Sequence, residues 1–107
     1  MAEKILASVP AERAFYFYLD LGRPLNVSAS SLAEFGSKLK TINVSSLEFH
    51  MMRGDFEKWI YMLGDNELAK SLIKIREANF SGERLRTELV RVVQTRVRQL
   101  QKPTLKK

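Results

Sequence analysis

Residues 45–64 combine two short helical patterns with almost no linker between them. Ser45 and Glu48 form a capping box at the start of the first helix. Gly54 ends this helix, because glycine readily adopts the left-handed conformation that follows a helix, and Asp55 can then cap the next one. Apolar residues recur at the three- and four-residue spacing of one buried face, at Phe56, Trp59, Ile60 and Leu63. The stretch predicts two helices folded around the single tryptophan.

Helical patterns continue on both sides of this stretch. Gly64 and Asp65 turn the chain into a third helix, whose apolar face contains Leu68, Leu72 and Ile75. Upstream, Ser31 and Glu34 form another capping box. An apolar stripe follows it and is interrupted only by Gly36; its members are Leu32, Phe35, Leu39 and Ile42. Each of these segments therefore predicts a short helix with one buried side.

Residues 15–18, with the sequence FYFY, allow two interpretations. Pro10 suits the first turn of a helix that would end at Gly22. Aromatic residues also favour pleated surfaces, and a short apolar run cannot be assigned by periodicity alone, so a strand at residues 14–19 competes. We expect the helix, because no second convincing strand is present, and we expect a loop from Gly22 to Ala29.

These patterns predict a mostly α-helical protein, a compact bundle of about five short helices with a long basic C-terminal helix. At 107 residues the chain has the length of one domain. We divide it into a flexible arm at residues 1–9, a helical domain at 10–80, a basic amphipathic helix at 81–102 and a basic tail at 103–107.

The composition excludes several classes of site. Without cysteine there is no disulfide, no thiolate zinc site and no cysteine nucleophile, and a single histidine cannot build a zinc site on its own. No run approaches the roughly 18 to 20 apolar residues of a membrane span. We therefore expect a cytoplasmic protein without membrane association, metal or cofactor.

The net charge of +6 is concentrated at one end of the chain. Residues 1–75 contain nine basic and nine acidic residues, whereas residues 76–107 contain nine basic and three acidic ones. The last helix is predicted from Ser81 to about Gln101. Its basic side and the tail contain Arg84, Arg91, Arg98, Lys102, Lys106 and Lys107, with the three arginines seven residues apart.

This arginine row is the main functional lead. Guanidinium groups about 10 Å apart on one helix face can reach phosphates of nucleic acid and supply affinity that does not depend on sequence. The alternative is a solvated face that only keeps the protein soluble. We predict a non-catalytic accessory module that contacts nucleic acid or a ribonucleoprotein surface through these residues.

A second hypothesis uses the other side of the same helix. Its apolar residues could cover the domain or form a protein-protein or homodimer interface; they are Leu85, Leu89, Val92, Val93, Val97 and Leu100. The aromatic run at residues 15–18 also leaves two readings open. It could stack bases if it were an exposed strand, although packing in the core is favoured.

A resemblance covers a little over half of the chain. The segments AFYFYLDLG, SASSLAEFGSKLKTI, SLEFHMMRGDFEKWI and LGDNELA, within residues 14–75, resemble a small family of prokaryotic, largely archaeal, domains of unknown function. Residues 46–60 match best, and the basic helix after Phe80 lies outside the resemblance. The resemblance implies a compact unit with a motif that includes His50, Arg53, Asp55 and Trp59, and it implies no activity.

The motif allows a structural and a catalytic interpretation. His50, Arg53 and Asp55 could form a buried polar bracket that holds the helix corner, which we favour. An enzyme would need the three side chains to converge on an open pocket, with the carboxylate and imidazole as acid and base. We expect no catalytic role.

Overall fold

The computed structural model describes residues 2–102, and this part of the chain is mostly helical. Six α-helices and one two-stranded antiparallel sheet are present within these residues. The elements in chain order are α1 (Ala2–Leu6), β1 (Phe15–Asp20), β2 (Arg23–Ala29), α2 (Leu32–Leu39), α3 (Val44–Arg53), α4 (Asp55–Leu63), α5 (Asn66–Glu77) and α6 (Gly82–Gln101). A short 3-10 helix at Ala11–Arg13 precedes the hairpin. The predicted predominance of helices is therefore confirmed.

The preferred helix from residue 10 to residue 22 is wrong, and the competing strand is correct. β1 alternates strictly at its start, with Phe15 and Phe17 in the core and Tyr16 exposed on the opposite face. This two-residue period is that of a strand with one buried side. The β-propensity of the aromatic residues therefore outweighs the helix-start signal of Pro10.

The predicted loop from residue 22 to residue 29 is also wrong, because these residues form β2. The partner strand escapes recognition since its own pattern is irregular. Pro24 cannot donate to the ladder, Asn26 has a positive φ of 59°, and the register shifts on both sides of Tyr18. Bulged strands of this kind lack the apolar alternation by which a strand is recognised.

The hydrophobic core joins the hairpin to all of the larger helices. Phe15, Phe35, Phe56 and Trp59 form a cluster of aromatic rings with centroids 5.2 to 5.8 Å apart. Gly36 lies where α2 crosses α6, and a Cβ atom there would lie 3.3 Å from Cγ1 of Val93. The close approach of two helices explains the glycine that interrupts the apolar stripe of α2.

Most helix ends follow the predicted local signals. Gly54 and Gly64 end their helices with positive φ, and the Asp65 carboxylate accepts a hydrogen bond from the Leu68 N–H at 3.0 Å. Ser31 likewise caps α2 through the Glu34 N–H. These interactions lie within a few residues of one another, which is why the sequence reveals them.

Two predicted caps differ in the structure. α3 is capped by Asn43, whose side chain accepts from the Ser45 N–H at 2.8 Å, and not by Ser45 itself. Asp55 is the first residue of α4, and its carboxylate does not cap that helix. Its hydrogen bonds go instead to His50 and Arg53. The Asp55 side chain therefore serves as an acceptor for His50 and Arg53 and not as a helix cap.

The segment predicted as a flexible arm contains α1. Ile5, Leu6 and Val9 pack against the core as partly buried residues, and the Val9 N–H donates to the Ser30 carbonyl at 2.7 Å. The predicted tail at residues 103–107, with Lys106 and Lys107, lies outside the described residues.

Candidate functional site

The predicted basic row lies on the solvent side of α6. We define the row as Arg84, Arg91, Arg98 and Lys102, all of which are exposed. Arg84 and Arg91 expose 67% and 63% of their side chains. Since the three arginines are seven residues apart, each is about 10 Å from the next along the helix. The row therefore forms one continuous line of cations.

Glu88 lies within the row and orients two of its members. Its carboxylate is 2.7 Å from Arg91 Nη2 and 3.7 Å from Arg84 Nε. The hydrogen bond from Arg91 lowers the pKa of Glu88, so the glutamate stays ionised at neutral pH. Arg84 also stacks over the Phe80 ring, 4.6 Å from its centroid, and Arg98 donates to Thr95 Oγ1. The guanidinium groups are held locally but remain open to solvent.

The remaining arginines of α6 are bound to the body of the protein. Arg96 forms a two-bond pair with the buried Asp65, at 2.8 and 3.1 Å, and this hydrogen bonding raises the pKa of Arg96. Arg86 donates to Glu83 and to the carbonyl of Leu39. These two arginines join α6 to its neighbours and do not belong to the row.

The apolar side of α6 is covered within the monomer. Its main residues lie at most 9% exposed, namely Leu85, Leu89, Val93 and Val97. Val92 and Leu100 are partly buried against the same core. The surface on which the homodimer hypothesis depends is thus occupied by the protein's own helices.

Three motif residues converge at the corner between α3 and α4. The buried His50 accepts a hydrogen bond from the Tyr18 N–H at Nε2, at 2.9 Å. Nδ1 must then carry the ring proton, and it donates to Asp55 Oδ2 at 2.8 Å. Arg53 Nε donates to the same carboxylate oxygen at 3.0 Å. Burial lowers the pKa of His50, although the Asp55 contact partly offsets this effect.

This geometry is that of a bracket between the hairpin and the helix corner. Both ring nitrogens of His50 are engaged by the chain, and its one basic lone pair, at Nε2, accepts from the Tyr18 N–H and is not free to act as a base. Trp59, the fourth motif residue, makes a separate connection, because its Nε1–H donates to the Arg13 carbonyl at 2.7 Å. No sequence signal marks Tyr18 as a partner of His50, since the two are 32 residues apart.

An open cavity of about 380 Å³ lies beside the bracket. His50, Arg53 and Asp55 all contribute to its lining, together with Tyr16 and Tyr18 from β1. The three motif side chains thus do meet at a pocket, but the imidazole is already used in holding the fold. The two tyrosines were not among the predicted site residues.

Residues 2–102 offer no clustered metal ligands and no membrane-spanning helix. No group of three or more histidine, aspartate or glutamate side chains there is placed to hold a metal ion. None of the helices in this range is both long and apolar enough to cross a membrane.

Comparison with known proteins gives one match. No curated protein and no solved structure matches the chain. A family model, described as a family of unknown function, matches residues 2–94. This match extends beyond the resemblance noted in the sequence, because it includes α1 and most of α6 with Arg84 and Arg91, while Arg98 and Lys102 lie beyond it. The chain belongs to this family of unknown function, DUF5752.

Proposed function

We propose that the protein is a cytoplasmic, non-catalytic accessory module that binds nucleic acid, alone or on a ribonucleoprotein surface, through the basic row of α6. One observation carries the proposal. α6 leaves Arg84, Arg91 and Arg98 exposed along a single line, with the exposed Lys102 directly after the helix, whereas Arg86 and Arg96 are bound to the protein body. Structural needs therefore do not account for the arginines of the row.

The charge distribution supports the same assignment. The entire excess of positive charge falls in residues 76–107, and Glu88 pairs with only two of the four cations of the row. Guanidinium groups present paired donors that match phosphate oxygens. Each phosphate that such a group neutralises releases counterions, which makes binding strongly dependent on salt.

The row favours contacts with phosphates over reading of base sequence. α6 packs its opposite side into the core from Leu85 to Val97, so the helix lies along the surface of the protein and cannot enter a groove alone. Contacts from such a surface helix to the phosphate backbone position a protein without specifying a sequence. We therefore expect little discrimination among sequences.

The test is binding of the full chain to duplex DNA and to structured RNA across a range of salt concentrations. We expect the logarithm of the association constant to fall with the logarithm of salt concentration, with a slope of about −3 to −5. Alanine at Arg84, Arg91 and Arg98 together should reduce the magnitude of that slope by about 2 to 3. Deleting α6 is not a usable test, because the helix supplies core residues.

The matched control is a variant that lacks three cations of residues 1–75, the part of the chain whose net charge is zero. Lys58, Lys70 and Lys74 are exposed and lie on α4 and α5. Their triple alanine variant has the same net charge as the arginine variant. If both variants weaken binding equally, binding follows net charge alone and the row has no special role. If the parent protein binds neither ligand at low salt, the proposal fails.

A further inference from the structure

The cavity between the hairpin and the corner of α3 and α4 has the size and lining of a small-molecule site. Its volume of about 380 Å³ lies within the range of ligand pockets, which combine aromatic walls with a few convergent polar groups. Tyr16, Tyr18, Phe49, Arg53 and Asp55 contribute to the lining. No residue of the basic row does, so this site is separate from the surface proposed above.

The aromatic wall comes from the alternation of β1. Phe15 and Phe17 are buried in the core, whereas Tyr16 is 48% exposed and Tyr18 is half-buried; both tyrosines line the cavity, and Phe15 contributes to it as well. The rings of Tyr18 and Phe49 both meet the His50 ring edge-on, with centroids 6.5 and 5.0 Å away. Tyr16 and Tyr18 therefore give the cavity aromatic faces that are not fully buried in the core.

Arg53 supplies the polar end of the cavity. Its Nε is fixed by Asp55, and its guanidinium lies 5.1 Å from the centre of the Phe49 ring. The side chain is 49% exposed, and its two terminal nitrogens have no hydrogen-bond partner among residues 2–102. A guanidinium held in this way presents two donors suited to a phosphate or a carboxylate.

We propose that this cavity binds one nucleotide unit, with the base against the tyrosine face and the phosphate on the terminal nitrogens of Arg53. Bases stack on aromatic side chains whatever their identity, because every base has a π face. Asp55 occupies only Nε of Arg53, through Oδ2, so the two terminal nitrogens remain available to the phosphate. A free mononucleotide and an unpaired nucleotide of a strand offer the same chemistry.

The first experiment is an NMR titration of the full chain with adenosine monophosphate and with adenosine. Shifts should concentrate in the amides of residues 16–22 and 49–55, and the monophosphate should bind more tightly than the nucleoside. Arg53→Gln and Tyr16→Leu should each weaken monophosphate binding about tenfold. Arg53→Gln should also abolish the preference for the phosphate, which a merely structural change would not do.

Two control variants match these changes outside the cavity. Lys58 is exposed on α4 and lies outside the cavity, so Lys58→Gln removes an equal positive charge. Tyr61 is 62% exposed on α4 and outside the cavity, so Tyr61→Leu removes an equivalent ring. Both controls should keep the affinity of the parent. The proposal is overturned if about 10 mM monophosphate shifts no cavity amide, or if the controls weaken binding as much as the cavity variants.

A second pair of measurements separates the sources of the nucleotide and separates this site from the basic row. If a short single-stranded oligoadenylate binds more tightly than the monophosphate, and Arg53→Gln abolishes this gain, the ligand is a nucleotide within a strand. If the two ligands bind with equal affinity, the ligand is a free nucleotide. The triple alanine variant of Arg84, Arg91 and Arg98 should still bind the monophosphate. Loss of monophosphate binding in that variant would contradict the cavity assignment and would place phosphate binding on the row instead.

Discussion

The inner and outer arginines of α6 have the same side chain and opposite surroundings. Arg86 and Arg96 are 18% and 21% exposed and are held by groups from other parts of the chain or by the turn before them. Arg84 and Arg91 are at least three times as exposed and pair with the neighbouring Glu88, and Arg84 also lies over the Phe80 ring. A single helix thus contains cations that hold the fold and cations that face solvent.

This difference shows that net charge alone is a poor guide to a binding surface. The polar groups that face inward are hydrogen-bonded to other groups of the protein, as Arg96 is to Asp65 and His50 is to Asp55. Those in the row keep donors available. Mutations should therefore affect stability on the inner side and binding on the outer side.

The largest effect is expected for Arg96→Ala. This change leaves the carboxylate of Asp65 buried without its cation, and breaking a buried pair in this way destabilises a protein by about 3 kcal/mol. Chemical denaturation measured by circular dichroism gives the free energy of unfolding. Arg91→Ala removes an equal side chain from the outer row and should leave the denaturation midpoint close to that of the parent. Equal losses in the two variants would abolish the distinction between inner and outer arginines.

The His50 bracket predicts a loss of stability in mild acid. Burial sets the pKa of folded His50 below its ordinary value of 6.5. As pH falls below 6.5, the unfolded chain takes up this proton first, so the free energy of unfolding declines until the folded state is also protonated. Protonation at Nε2 would remove the acceptor of the Tyr18 N–H. The stabilisation is complete above pH 6.5.

The measurement is the free energy of unfolding between pH 7 and pH 4.5. Hydrogen bonds from Arg86 and Arg91 lower the pKa values of Glu83 and Glu88 below the ordinary 4.5, so these groups add to the loss of stability only near the acid end of this window. His50→Gln should be less stable than the parent at pH 7 and should show a flatter profile. A parent profile that is already flat from pH 6.5 to pH 4.5 contradicts the bracket.

Glu88→Gln sharpens the comparison on the outer side. Removing the one carboxylate that contacts both Arg84 and Arg91 should raise affinity for nucleic acid about two- to fivefold at low salt, with the gain disappearing as salt increases. Glu83→Gln changes net charge equally but frees Arg86, which also binds the Leu39 carbonyl. A salt titration of both variants should show the larger gain for Glu88→Gln. The reverse order would place the binding surface elsewhere.

The smallest effect is expected at Ser46, the exception to the rule that inner polar groups are paired. Its Oγ is buried and has no hydrogen-bond partner among the described residues. Leaving a buried hydroxyl unpaired costs free energy, so Ser46→Ala should be neutral or stabilising by up to about 1 kcal/mol. Thermal unfolding of Ser46→Ala, compared with that of Ser45→Ala at the exposed neighbouring position, measures this change in stability. A clear destabilisation would show that the hydroxyl has a partner after all.

The sequence predicts the parts of this structure that depend on neighbouring residues. Gly54, Gly64 and the Asp65 cap act within a few positions, and the seven-residue spacing of the arginines identifies one helix face. β2 was missed because Pro24 and the bulges hide its period. The missed contacts are distant ones: the separation is 32 residues from His50 to Tyr18 and 31 from Arg96 to Asp65. No local sequence pattern predicts such pairs.

The same limit applies to the candidate site. The spacing of Arg84, Arg91 and Arg98 predicted a row that the structure leaves exposed, but its interaction with Glu88 depends on side-chain geometry. The cavity depends on Tyr16 and Tyr18 lying opposite Phe49, which requires β1 to be a strand beside α3. The helix predicted for residues 10–22 does not place Tyr16 and Tyr18 in this way, so the cavity could not be predicted from the sequence.

Trp59 gives the protein an intrinsic optical probe of its fold. It is the only tryptophan, its indole N–H is fixed on the Arg13 carbonyl 46 residues away, and the rings of Phe15 and Phe35 lie within 6 Å of it. Its fluorescence spectrum should therefore shift to longer wavelength when the hairpin separates from the helix corner and water reaches the indole. The emission of Trp59 then reports, without an added label, whether the hairpin is packed against the helix corner.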